Sequence, residues 1–178
     1  MRRILLVAVS ALNLLLLDAV VKELAVAKLK GSGAVAVVVG FFDLAYVENR
    51  GCAWGMFQGQ VWPLAAFGLL ALALIVWKRR SVFEGAGGSA AAAWLGAVAE
   101  PFLYAGIVGN LVDRVFRGHV VDMFDFHWGA SHFPCFNHAD YFITVSVGLL
   151  LVSAMMGPRR GAKGDSEKAL GRTQPQTT

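Results

Sequence analysis

Four long apolar stretches, separated by more polar connections, dominate the pattern of this chain. They cover residues 4–21, 61–77, 90–108 and 141–156. Each is near the length that an α-helix needs to cross about 30 Å of hydrocarbon, and a small mismatch is accommodated by snorkelling side chains or local thinning of the bilayer. The pattern predicts an all-α integral membrane protein with four transmembrane helices.

The two long connections, 22–60 and 109–140, carry a different pattern. Segment 34–47, AVAVVVGFFDLAYV, is rich in β-branched and aromatic residues, a composition that favours strands. In the second connection a strand would place Val120, Asp122 and Phe124 on one face, with Val121 and Met123 on the other. We therefore expect a small β-rich subdomain beside the helices.

Composition and charge agree with a membrane location and orient the chain. Hydrophobic residues make up 57% of the sequence, charged residues only 16%, and the mean hydropathy is +0.58, which is more apolar than a typical soluble domain. Basic residues precede the first stretch, fill the short connection between the second and third stretches, and follow the fourth stretch. The positive-inside rule then places both termini in the cytoplasm and both long connections on the exoplasmic side.

The same features predict the domain organisation. Residues 1–158 are expected to form one membrane domain, and 159–178, which contain few apolar residues, a disordered cytoplasmic tail. A cleavable leader is the alternative for the first stretch, because Arg2 and Arg3 precede an apolar run. Asp18 and Lys22, however, interrupt the region where a small-residue cleavage site would be needed.

Two aspartates at the predicted exoplasmic edge are the candidates for chemistry. A carboxylate at the mouth of a bilayer is costly, so Asp122 and Asp140 indicate function. On the apolar face of its strand, Asp122 should be desolvated and its pKa raised. Asp140 falls in the first turn of the last helix, where negative charge is favoured, although Asn137 or Asp140 could simply be a helix cap. If the two carboxyls meet with one ionised and one protonated, they can activate a water between them.

The sequence also contains residues that suit other kinds of chemistry. Zinc hydrolysis would use the polar residues near the second long connection, but their spacing forms neither H-E-x-x-H nor paired C-x-x-C. A proton-coupled carrier or a structural bundle would need no strand subdomain. A catalytic thiol would need a histidine base. The residues concerned are His119, His127, His132, His138, Asp125, Cys52 and Cys135.

Five short segments, taken in order, resemble the lipoprotein signal peptidases, also called signal peptidase II, of bacterial inner membranes. The resemblance covers almost the whole chain. It departs from the family pattern at Val21, at Trp54 and at Glu100, an intramembrane glutamate that we expect to be structural or lipid-facing. The matching residues are Asp18 with Lys22; Glu48 to Trp54; Gly109, Asn110, Asp113 and Arg114; Val120 to Asp122; and Phe136, Asn137, Ala139 and Asp140.

The resemblance implies an aspartic endopeptidase that removes signal peptides from diacylglyceryl-modified prolipoproteins by cleaving before the lipidated cysteine. It implies Asp122 and Asp140 as the catalytic pair. It also implies sensitivity to globomycin-type inhibitors, contact with membrane lipid, a monomer, and no metal, cofactor or nucleic acid. The supporting and substrate-binding residues would be Asp18, Lys22, Asn49, Gly51, Asn110, Arg114, Asn137 and Ala139.

Overall fold

The computed structural model describes residues 1–84 and 89–156. The predicted tail at 159–178 lies outside these residues. Within these residues the structure has five α-helices, four strands and a short 3-10 helix (Ala53–Gly55). The α-helices and strands are α1 (Arg2–Leu29), β1 (Val35–Val38), β2 (Phe42–Asn49), α2 (Val61–Trp77), α3 (Arg79–Phe83), α4 (Ala90–Arg117), β3 (Val120–Trp128), β4 (Ser131–His132) and α5 (His138–Met155).

The helices α1, α4 and α5 are long and apolar enough to cross a membrane, whereas α2, with 17 residues, is shorter. Large apolar side chains on α1 and α2 are exposed, among them Leu12, Leu16, Phe67 and Leu70. An exposed apolar surface of this extent suits lipid rather than water. The fold is therefore that of a mostly helical membrane protein with a small antiparallel sheet.

Helix α4 lies at the centre and packs against α1, α2 and α5. Small residues allow α5 to approach closely, and two serines on it donate hydrogen bonds to α4 carbonyls: Ser146 to Ala99 at 2.8 Å and Ser153 to Ala92 at 3.0 Å. Such contacts, rather than hydrophobic burial, hold helices together in lipid. The α4–α5 pair is thus a close-packed support for the residues at its ends.

Helices α1 and α4 run further than the apolar stretches that predict them. The first stretch ends at residue 21 but α1 continues to Leu29, and the third ends at residue 108 but α4 continues to Arg117. Residues 109–117, which belong to the predicted exoplasmic connection, form the last turns of α4. Hydropathy falls there because one helix face turns polar, while the backbone stays helical until Gly118, whose φ of 74° ends it.

The predicted strands form one antiparallel sheet in the order β1-β2-β3-β4. In the β2–β3 pairing, Val47 lies opposite Asp122 and Asn49 opposite Val120. The first residues of β3, Val120 to Met123, are all buried, because one face packs on α1 and the other lies over the ends of α4 and α5. This arrangement carries Asp122 to the ends of the helices.

Glu100 is not lipid-facing. Its carboxylate is fully buried and forms a bidentate ion pair with Arg79 of α3, one bond of which, from Nη2, is 2.9 Å long. Arg3 of α1 also approaches this carboxylate, with Nη2 3.5 Å from Glu100 Oε2. A buried charge requires such partners. The prediction that Glu100 is structural is therefore confirmed, and the alternative that it faces lipid is wrong.

Candidate active site

Asp122 reaches the site from β3 and is held there by two amides. Asn137 Nδ2 donates to Asp122 Oδ1 at 2.6 Å, and Asn49 Nδ2 donates to Oδ2 at 2.9 Å. The side chain is almost completely buried, at 1% exposure. Burial, followed by the nearby Asp140 carboxylate, raises the pKa of Asp122 from 3.8 to about 7.

Asp140 reaches the site from the first turn of α5, which begins with a capping box. Asn137 Oδ1 accepts from the Asp140 backbone N–H at 3.2 Å, and Asp140 Oδ2 accepts from the Asn137 N–H at 3.2 Å. The other oxygen, Oδ1, accepts from Asn110 Nδ2 at 2.7 Å. The helix-cap interpretation and the functional one are therefore compatible, since Asp140 caps α5 and still faces the network.

Asn137 joins the two carboxyls. Its side-chain Nδ2 donates to Asp122 Oδ1 and, at 3.3 Å, to Asn110 Oδ1. Its backbone N–H donates to Asp140 Oδ2, and its Oδ1 accepts from the Asp140 backbone N–H. We refer to Asp122 and Asp140 as the dyad. Because each dyad carboxyl shares Asn137, moving one of them disturbs the other.

Lys22 and Asp18 support the network from α1, one helical turn apart. Lys22 Nζ lies 2.9 Å from Asp18 Oδ2 and 3.4 Å from Asn110 Oδ1. Asp18 Oδ1 accepts the backbone N–H of Ala139 at 3.0 Å. Gly109 permits this approach, because a Cβ there would lie 2.6 Å from Asp18 Oδ2.

Arg114 and Gly51 form the wall opposite the sheet. Arg114 Nη2 donates to the Gly51 carbonyl at 2.9 Å, and the Gly51 N–H donates to Asn49 Oδ1 at 2.9 Å. A Cβ on Gly51 would meet the Met56 carbonyl at 2.4 Å. The loop after β2 therefore needs glycine here to orient Asn49 toward Asp122.

The dyad opens into two adjoining cavities. Asp140 lines one of about 490 Å³ and Asp122 lines the other, of about 470 Å³. Between them stand residues from the loops 49–54 and 133–135, where the rings of Trp54 and Phe133 meet at 5.7 Å between centroids. The geometry thus leaves room for a substrate beside both carboxyls, under an aromatic contact.

The other candidate groups take no part in this hydrogen-bond network, although Asp125, His132, Cys52 and Cys135 line the same cavity as Asp122. His132 Nδ1 is 2.9 Å from Asp125 Oδ1, and its ring stacks on that of His127. Within the described part of the chain, no group of three or more His, Cys, Asp or Glu side chains is arranged to hold a metal ion. Cys52 and Cys135 are free thiols, and burial raises the pKa of Cys135 to about 12, which disfavours the reactive thiolate.

The catalytic pair and the eight supporting residues implied by the resemblance all lie at this site, through a side chain or, for Gly51 and Ala139, through the backbone. One further participant is among the matching residues but has no role predicted for it. Asp113 is buried beside Lys22 and accepts the backbone N–H of Val121. Its place next to Arg114, on the same helix as Asn110, is the signal that could have identified it.

Membrane-crossing helices and a buried carboxyl–amide network facing a cavity define a membrane-embedded enzyme. Two solved bacterial membrane enzymes share the fold. One, determined by the in meso method at 1.9 Å resolution, has 27% sequence identity and a TM-score of 0.67 over 83% of this chain and 90% of that one. The other, at 2.3 Å, has 24% identity and a TM-score of 0.66 over 97% and 94%.

The family is shown by sequence. The family model described as signal peptidase (SPase) II matches residues 10–156. The lipoprotein signal peptidase of Fusobacterium nucleatum is 35% identical over 84% of this chain and 86% of its own length, and that of Clostridium acetobutylicum is 38% identical over 78% and 85%. The chain belongs to the signal peptidase II family and is a protease of lipoprotein processing.

Proposed function

We propose that this protein is an aspartic endopeptidase that cleaves diacylglyceryl-modified prolipoproteins before the lipidated cysteine, with Asp122 and Asp140 as the catalytic residues. The observation that carries the proposal is the shared bonding of both carboxyls to Asn137. A pair held in this way can hold one proton between them, which is the state that general acid–base catalysis by two carboxyls requires.

The roles within the pair follow from their surroundings. Because the pKa of Asp122 is raised to about 7, Asp122 carries the shared proton near neutral pH and can donate it to the scissile carbonyl oxygen. Asp140, at the N-terminus of α5, carries the negative charge and removes a proton from the attacking water. The water oxygen bonds to the carbonyl carbon. As the peptide bond breaks, the proton held by Asp140 passes to the departing amine, the carbonyl double bond re-forms, and its oxygen returns the donated proton to Asp122.

Substrate positioning is assigned to groups that face the cavity from the α4 side. Arg114 and Asn110 line both the 490 Å³ cavity and an apolar groove of about 870 Å³. Side chains of α2 and α4, among them Phe67, Leu103 and Ile107, line this groove. The connection between cavity and groove supports lateral entry of acyl chains from the bilayer while the scissile bond lies beside the dyad.

The proposal includes four spans with both termini cytoplasmic and the dyad on the exoplasmic face of a bacterial inner membrane. Helix α2 has 17 residues, about 25 Å at the usual rise, and exposed Trp62 and Trp77 near its two ends suit the membrane interfaces. The proposal also includes a monomer.

The test is cleavage of a diacylglyceryl-modified prolipoprotein in detergent micelles containing a chelator. Wild type should be active and inhibited by globomycin, whereas Asp122→Asn and Asp140→Asn, which keep size and remove charge, should be inactive. Asp43→Asn, on the neighbouring strand and beside His127, is the matched control and should keep wild-type activity. Activity in either dyad variant, or its loss in wild type on chelation, would overturn the assignment.

A further inference from the structure

Two buried carboxylates outside the dyad share one ammonium group. Lys22 Nζ lies 2.9 Å from Asp18 Oδ2 and 2.9 Å from Asp113 Oδ2. The three residues are only 1%, 1% and 4% exposed. They join α1 to α4 below the dyad. Buried ions of this kind are costly unless each is fully bonded, so the remaining oxygens of the two carboxylates require partners as well.

Each carboxylate binds the backbone one residue before a dyad aspartate. Asp18 accepts the N–H of Ala139, at 3.0 Å, and Asp113 accepts the N–H of Val121, at 3.2 Å. These contacts join α1 to the start of α5 and α4 to the start of β3. The two sets of contacts are equivalent, because both include Lys22. The Asp18 contact ends beside Asp140, and the Asp113 contact ends beside Asp122.

The charged groups around Asp113 also act electrostatically on the dyad. Its second oxygen accepts from Arg117 Nε at 2.9 Å, and Arg117 in turn pairs with exposed Glu23. The Lys22 ammonium favours ionised Asp122. Because Asp113 offsets part of the Lys22 charge, removing the Asp113 charge would strengthen the field of Lys22 at Asp122.

We propose that Asp113 is a positioning residue for the dyad: with Lys22 and Asp18 it fixes the backbone at Val121, as Asp18 does at Ala139, and it tempers the Lys22 charge acting on Asp122. The inference rests on the proposed function. It gives Asp113 a role distinct from that of its neighbour Arg114, which faces the cavity.

Two substitutions separate the backbone contact from the charge. Asp113→Asn keeps an oxygen that can accept the Val121 N–H but removes the negative charge, whereas Asp113→Ala removes both. Asp43→Asn is the charge-matched control on the sheet. The variants are purified in micelles with the full chain, their folded fraction is measured by thermal unfolding, and cleavage of the diacylglyceryl prolipoprotein is followed from pH 5 to 9 as kcat and KM per folded enzyme.

We expect both Asp113 variants to move the alkaline limb of the kcat profile to lower pH, because ionised Asp122 becomes more favourable. The charged and titratable groups near Asp122 that stay in place are Lys22, Arg114, Cys135 and Asp140. Asp113→Ala should in addition lower kcat about 10²-fold at its optimum with little change in KM, the usual scale for misplaced catalytic groups, while Asp113→Asn stays within about tenfold of wild type.

A purely structural role would lower the folded fraction and leave the profile per folded enzyme unchanged, which would overturn the proposal. If Asp113→Ala does not fold, Asp113→Asn decides alone through its pH profile. The dyad assignment fails separately, through activity in Asp122→Asn or Asp140→Asn, whereas the Asp113 role fails through an unshifted profile in variants of an otherwise intact dyad.

Discussion

Removing the charge of Asp122 should abolish activity and at the same time stabilise the protein at alkaline pH. The pKa of this carboxyl is 3.8 ordinarily and about 7 in the fold, so the folded protein binds the proton more tightly than the unfolded chain. Stability from this group is complete below pH 4 and is lost as the pH rises to about 7. The difference of about three pH units corresponds to about 4 kcal/mol.

The variant Asp122→Asn does not recover all of the stability that the wild type loses when Asp122 ionises. Asp122 accepts from both Asn49 and Asn137, and the amide of Asp122→Asn would turn one NH₂ group toward one of these donors. A lost buried hydrogen bond costs about 1–3 kcal/mol. The variant should therefore gain about 1–3 kcal/mol at pH 8, a rise in melting temperature of about 5 °C for a chain of this size, and should be less stable than wild type at pH 4.

The assay is thermal unfolding of wild type, Asp122→Asn and Asp43→Asn in one detergent at several pH values between 4 and 8. The melting temperature of wild type should fall with pH relative to that of Asp122→Asn, and the two curves should cross, while Asp43→Asn runs parallel to wild type. Parallel curves for wild type and Asp122→Asn would refute the reasoning, because they would show that folding does not raise the proton affinity of Asp122.

Two packing predictions concern the helices that hold the site. Gly106→Ala places a Cβ 2.5 Å from the Ala139 carbonyl, so it should push the start of α5 away and lower both kcat and melting temperature; Gly148→Ala, with nothing within 4 Å, should be neutral or slightly stabilising in the same assays. Arg79→Met should destabilise by about 3–5 kcal/mol, because buried Glu100 loses its bidentate partner. Adding Glu100→Gln should restore most of the melting temperature, and a Glu100→Gln double variant no more stable than Arg79→Met would contradict this account.

The placement of the dyad shows what could be predicted from local pattern. Alternation in segment 120–127 predicted the strand and the buried position of Asp122, and the polar sequence before the last apolar stretch predicted Asp140 in the first turn of a helix. The structure confirms the strand as β3 and the helix start as α5, although burial does not alternate along β3, where Val120 to Met123 are all buried. The bounds of α1 and α4 were less predictable, because helices with one polar face continue beyond the hydrophobic stretch.

The contacts between distant segments could not be predicted in the same way. Nothing near Asp113 in the sequence indicates that it binds Val121 and Lys22, since the Lys22 contact joins α1 to α4 across 91 positions of the chain. The partners of Glu100 were missed for the same reason, as Arg79 and Arg3 come from α3 and α1. Long-range ion pairs depend on how helices pack, which residue spacing does not encode.

The sequence by itself therefore determined the membrane character, the strand-rich connection and the two candidate carboxyls, because hydropathy, periodicity and the cost of a carboxylate at the bilayer edge are properties of short segments. The tertiary structure alone decided that Asn137 joins the two carboxyls and how far the pKa of Asp122 rises, to about 7. Proton affinity depends on the burial and charges surrounding a group, and these are fixed only when α1, α4, β3 and α5 come together.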